Sequence, residues 1–359
     1  MRHNLAKPAI HAAALAFGLA LAPASLPAQG FAGLGTDAEG FAIPQRGTAL
    51  QFPADHGPHP EYRIEWWYLT ATLSDADGQD YGVQWTLFRS ALAPQEDEGW
   101  DSPQVWMGHA GLTTAEQHFS AERFARGGIG QAGVTADPFV AHIDDWHMTS
   151  HAEEGADALD HLQVHARGSD FSYDLEFIAE GPLVPQGDAG YSVKSPQGQA
   201  SYYYSQPFYT VSGTLDLPDG PVKVTGQGWL DREWSSQPLA EDQAGWDWVS
   251  LSFDDGHRMM GFQLRGTEVF TAGTWITPDG TPTPLPDGEV QFTPLDHTRI
   301  DGRDVPTHWR IEWTERDLLI ETEPLNPSAW MDLSISYWEG PLRFDGSHSG
   351  RGYLEMTGY

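Results

Sequence analysis

The chain of 359 residues contains no cysteine. That absence excludes thiol nucleophiles, thiolate metal sites, disulfides and a lipid-anchoring cysteine. Basic residues are scarce too, 19 Lys and Arg against 51 Asp and Glu, for a formal charge of −32. A surface of that sign repels phosphate, so nucleic acid and anionic membranes are not expected partners. After the N-terminal segment no run is long and apolar enough to cross a bilayer, and no stable membrane insertion is expected. A Gly-x-Ser-x-Gly elbow, a phosphate-binding loop, a dinucleotide glycine motif and a His-Glu-x-x-His helix are all missing. The expectation is therefore of no cofactor and no metal. DADGQD (residues 75–80) resembles the start of a calcium loop, but it lacks the remaining ligands and stands where a hairpin turn is needed. Two histidine pairs, His147 with His151 and His161 with His165, share strand faces. Their i,i+4 spacing spans roughly 13 Å, too far for one metal.

What is present reads as export followed by β-structure. Residues 1–28 join a basic start (Arg2, Lys7), an apolar run from Ala9 to Leu21, and small residues suited to cleavage. This is the pattern of a secretory signal peptide. A periplasmic or secreted location is the expectation, with residues 29–51 as an extended lead-in. No later segment keeps a helical period beyond two turns, although a short helix near Ala115–Ala125 is compatible with the pattern.

The stretch EYRIEWWYLTATLSDADGQDYGVQWTLFR (residues 61–89) reads as a hairpin. Its odd positions, Glu65, Trp67, Leu69, Ala71 and Leu73, make an apolar face opened by one carboxylate. A gapped copy follows in WDWVSLSFDDGHRMMGFQLR (residues 246–265), where Tyr68 falls on Trp248. A second echo closes each half: GQGWLDREW (226–234) and GRGYLEMTG (350–358) share Gly-x-Gly, an aromatic, Leu and an acid. Two blocks that start and stop alike indicate a duplicated unit. The expected architecture is all-β, with two consecutive antiparallel β-barrel domains over 52–237 and 241–359, since closure removes exposed edges. Within the second block, 278–286 reads as a loop and 331–338 as a strand.

The sharpest chemical signal is GWLDREW. In a strand, Trp229, Asp231 and Glu233 point one way and Leu230, Arg232 and Trp234 the other, so two carboxylates lie side by side next to an indole. Enclosed, such a pair keeps one member protonated near neutral pH, as a general acid requires. Asp231 and Glu233 are thus candidate catalytic residues. Glu65, Asp247 (which opens the face Asp247, Val249, Leu251, Phe253) and His109 are candidates for positioning water. Trp67, Tyr204, Trp229, Trp246 and Trp248 are the candidate substrate-binding rings, able to shield a carbocation through their faces.

EWWYLTATL, VWMGHAGL, SYYYSQP, GWLDREWSS, GWDWVSLSFDDG and the terminal GYLEMTGY resemble the motifs of the AttH/CrtC lipocalin-like family, over roughly residues 52–359. That family includes exported proteins named as secreted hydrolases, carotenoid 1,2-hydratases and distant fungal Diels–Alderases. The resemblance implies two lipocalin-like β-barrels and an apolar ligand site. Where the carotenoid hydratases carry His and Asn, this chain has Arg232, Glu233 and Asp247, so the exported Glu-Trp-Trp-bearing members match it better. Two functions stay open at this point. One is a hydratase or hydrolase acting on a hydrophobic isoprenoid-like or lipid-like molecule by carboxylic-acid protonation. The other is a non-catalytic carrier of such a molecule, associated with an ABC-type transport system.

Overall fold

The computed structural model describes residues 38–94 and 99–359. The expected signal peptide, and the lead-in as far as residue 37, lie outside the described residues. From Ile64 onward the chain is a succession of antiparallel strands. The first sheet begins with β1 (Ile64–Ser74), β2 (Asp80–Ala91), β3 (Gln104–Thr113) and β4 (His118–Arg126). Next come the short strands β5 (Ala132–Ala136), β6 (Phe139–Ile143) and β7 (Trp146–Ser150), then β8 (His161–Arg167) and β9 (Ser172–Ala179). After β10 (Val184–Pro185) and β11 (Tyr191–Val193), two long strands finish the sheet, β12 (Ala200–Leu217) and β13 (Gly220–Ser235). Its order is β4-β3-β2-β1-β13-β12-β9-β8-β7-β6-β5, and the last long strand returns to pair with the first.

The second sheet repeats that plan. Its strands are β14 (Gly245–Phe253), β15 (Arg258–Arg265), β16 (Val269–Ile276), β17 (Pro282–Leu285), β18 (Gln291–Ile300) and β19 (Arg303–Trp313), then β20 (Leu318–Pro324), β21 (Trp330–Met331), β22 (Tyr337–Gly346) and β23 (Gly350–Met356). The order β17-β16-β15-β14-β23-β22-β20-β19-β18 again sets the last strand beside the first. The two closing strands carry the two Gly-x-Gly echoes, and the architecture is two successive lipocalin-like antiparallel units. In the first, β6 comes against β2, β3 and β4, so the sheet rolls nearly shut.

Alternation assigns the faces. Trp67, Leu69, Ala71 and Leu73 of β1 pack inside the first unit with Val83, Trp85 and Leu87 of β2 and with Phe139, Ile143 and Trp146. Gly108 of β3 lies under that layer, where a Cβ would come 2.8 Å from Ile143. Val249, Leu251 and Phe253 of β14 fill the second unit. A third apolar cluster lies between the sheets, built from their outer faces: Tyr68, Tyr203, Trp229, Trp248, Phe262 and Tyr353 belong to it.

Three local expectations need correction. The segment placed as a short helix near Ala115–Ala125 forms a turn and β4. Thr114 accepts the Gln117 backbone N–H, and Thr113 pairs with His118 to close a hairpin on the free edge of β3. The 278–286 loop contains β17, an edge strand that tolerates its prolines because one side needs no donors. The strand expected over 331–338 is split between β21 and β22.

Candidate active site

Six strands of the first sheet set one residue each into a continuous polar row on the face turned to the second sheet. The register runs Ser205 opposite Asp231, Asp231 opposite Tyr68, Tyr68 opposite Thr86, Thr86 opposite His109, and His109 opposite Glu122. Directly opposed residues of antiparallel strands project to the same side. The second sheet presents its own row, Glu339, Glu355, Trp248 and Phe262, again in register. Between the two rows lies a cavity of about 450 Å³. Its walls include Asp231, Glu233, His109 and Tyr203 from the first unit and Trp246, Trp248, Phe262 and Glu355 from the second.

Asp231 sits at the centre of the first wall and is 2 % exposed. The Trp229 indole donates to its Oδ1 at 2.6 Å and Ser205 Oγ to the same oxygen at 2.5 Å, while Tyr203 O–H donates to Oδ2 at 2.7 Å. Trp248 of the second unit donates in turn to the Tyr203 oxygen at 3.2 Å. Burial pushes the Asp231 carboxyl up to about 7 against these three donors, with the Glu233 charge adding to the rise. The group therefore holds a proton near neutrality, and three donors stand ready for the anion once the proton leaves. Glu233 forms an ion pair with Lys194, Nζ to Oε1 2.8 Å, without the alignment of a hydrogen bond. The ammonium also lies over the Tyr203 and Phe262 rings, 4.8 and 4.3 Å from their centroids.

The opposite wall carries two more acids. Burial raises Glu355 to about 7, the Trp246 N–H hydrogen bond opposing the shift and the Asp231 and Glu233 charges adding to it. Glu339, fully buried, is pushed well above the usual carboxylate range by burial and by Glu355, and it accepts the Tyr68 hydroxyl. His109 links Tyr337 (Nδ1 to the hydroxyl, 2.9 Å) to Glu122 (Nε2 to Oε1, 3.2 Å). Burial lowers its pKa despite Glu122, which favours the neutral imidazole.

The family model for AttH-like proteins matches residues 43–359. The chain belongs to the AttH-like family. The crystal structure of a Nitrosomonas europaea protein assigned to AttH is similar to it, with a TM-score of 0.79, 32% identity, and coverage of 89% of this chain and 99% of that one. Kievitone hydratase from Nectria haematococca superposes with a TM-score of 0.64 at 14% identity, covering 89% of this chain and 98% of its own. CghA with Sch210972 superposes at 0.54 and 13%, covering 90% and 97%. At such identities the last two speak to the fold alone. No curated protein matches the chain.

In this AttH-like protein strand parity sorts the sequence candidates. Asp231, Glu233, His109, Trp246 and Trp248 meet in the cavity, with Trp229 behind Asp231. Four others do not. Glu65 points into the first unit, where the Arg89 and Arg232 guanidiniums bind it and His59 N–H donates at 2.9 Å. Burial would raise its carboxyl, but the two arginines outweigh that and hold it well below the usual range. Trp67 lies beneath Arg232, 3.8 Å from ring centroid to guanidinium, also in the interior. Tyr204 bonds His56 at 2.7 Å on that same inner side, and its neighbour Tyr203 is the cavity residue. Asp247 is buried in the second unit against Gln263, Arg265 and Tyr359. Glu355, Lys194, Tyr68 and Tyr337 went unrecognised in the sequence. Only Glu355 had a signal, because it holds in GYLE the place of Asp231 in GWLD.

Proposed function

We propose that this protein is an acid–base enzyme of hydratase type, acting on a largely apolar, isoprenoid-like or lipid-like molecule held between its two β-units. The observation that carries the reading is Asp231: a carboxyl buried in a ring-lined cavity, half protonated near neutral pH, with donors arranged for its anion. Asp231 gives its proton to an alkene carbon as the π bond opens. The adjacent cationic carbon faces the Trp246 and Trp248 rings, an interaction worth about 0.5–2 kcal/mol, and water adds to it. The same acid serves a hydrolase by protonating a leaving oxygen. A hydratase among the fold neighbours supports the reading at the level of architecture. Export after loss of residues 1–28 belongs to the proposal, and the mass of the mature N-terminus tests it.

The activity test incubates the mature protein with geranylgeraniol and squalene in H₂¹⁸O and follows the alcohols by mass spectrometry. Asp231→Asn is expected to cut turnover about a hundredfold or more while N-phenyl-1-naphthylamine binds within about threefold of wild type. Unchanged turnover removes Asp231 from the chemistry. Apolar ligand retained without turnover of any kind favours the carrier, with delivery to an ABC-type transporter as its natural setting.

A further inference from the structure

We propose that Glu355 is the functional partner of Asp231, the two forming an acid–base pair with one member from each β-unit and the ligand between them. The proposal rests on the hydratase reading and adds the group that activates water.

The duplication supplies the geometry. Tyr68 of β1 and Trp248 of β14 occupy the same position in the repeated opening strand, and their rings meet edge to face across the interface, centroids 5.2 Å apart at 87°. Equivalent positions of the two units therefore meet at this contact. Asp231 is the cross-strand neighbour of Tyr68, and Glu355 that of Trp248. Equivalent carboxyls consequently flank the same point from opposite sides, and both open on the one cavity. Each also takes an indole N–H, from Trp229 and Trp246 respectively.

Asymmetry in their surroundings divides the labour. Asp231 has three donors to receive negative charge, Glu355 one from the side chains around it. As Asp231 transfers its proton to the alkene, a C–H bond forms and Asp231 becomes an anion. That new charge raises the proton affinity of Glu355 at the moment water must lose a proton. The water oxygen bonds to the cationic carbon and its proton passes to Glu355. The balance is alkene plus water to alcohol, with one proton moved from Asp231 to Glu355 and returned through solvent. Run backwards, the same pair dehydrates an alcohol with the roles exchanged.

Two measurements test this. In ligand-free protein, ¹³C NMR of the side-chain carboxyls should show the Glu355 titration falling by roughly half a unit or more in Asp231→Asn, because the neighbouring charge is gone. A Glu355 titration that ignores Asp231 overturns the pairing, and no substrate is needed to see it. In the H₂¹⁸O assay, Glu355→Gln should lose about a hundredfold or more in turnover with N-phenyl-1-naphthylamine affinity held within about threefold, and Glu355→Asp should recover part of the loss. Full turnover in Glu355→Gln beside an inactive Asp231→Asn refutes the pair and leaves the hydratase reading standing. Full turnover in Asp231→Asn removes Asp231 from the chemistry and the pair with it, whereas no turnover in the wild type removes the hydratase reading itself.

Discussion

Glu65→Ala separates a buried structural acid from a catalytic one. Glu65 is 0 % exposed, Arg89 1 % and Arg232 0 %, so the three charges share a site closed to water. Arg89 also donates to Gln104 and to the carbonyls of His59 and Tyr62, and Arg232 to the carbonyl of Gly57. These bonds hold both guanidiniums in place after the carboxylate is removed, leaving two like charges buried without the carboxylate they share. Breaking a buried pair from one side typically costs about 3–5 kcal/mol. For a unit of this size that corresponds to a Tm lower by roughly 6–20 °C, at about 2–4 °C per kcal/mol. Calorimetry and urea unfolding measure it. N-phenyl-1-naphthylamine binding should persist in the protein that remains folded, since Glu65 faces away from the cavity. The pH dependence has a fixed sign. Glu65 is depressed in the folded state, so its contribution is complete above the unfolded value near ~4.3 and drains away as pH falls below it. A loss under about 1 kcal/mol, or lost turnover at unchanged Tm, refutes the structural assignment.

Asp231 and Glu355 have the opposite linkage. Both are raised to about 7, so the folded state binds extra protons between roughly pH 4 and 7 and loses stability as pH rises through that window. Glu355→Gln should flatten the profile by up to about 3 kcal/mol, read from urea midpoints at pH 5 and 8. Tyr203→Phe removes the donor to Asp231 Oδ2 and should raise the Asp231 titration while cutting turnover about tenfold; an unchanged pH–rate profile counts against the assigned role. Gly82 abuts Pro341 across the two sheets, a Cβ there falling 2.4 Å from the ring. Gly82→Ala should therefore cost about 1–3 kcal/mol by wedging the interface, and a wild-type urea midpoint would show that the sheets yield freely there.

The sequence by itself determined the all-β class, the repeated unit and the contents of the strand faces of β1 and of GWLDREW. GWLDREW separated correctly into Trp229, Asp231 and Glu233 on one side and Leu230, Arg232 and Trp234 on the other, because a strand alternates whatever surrounds it. Alternation does not say which side is inside. On β1 the face opened by Glu65, which carries the site candidates Glu65 and Trp67, is the core of the first unit, and the Ile64, Trp66 and Tyr68 side meets the second unit. By the same parity Tyr204 lies on the inner side, one residue from Tyr203, which lines the cavity. Only the tertiary structure decided that the ligand space lies between the units, because both faces of β1 and of the 228–235 half of β13 are largely buried, one by their own sheet and one by its duplicate. Only there does an acid from the last strand of the chain come to face Asp231, and that depends on long-range register and docking, which no local pattern encodes.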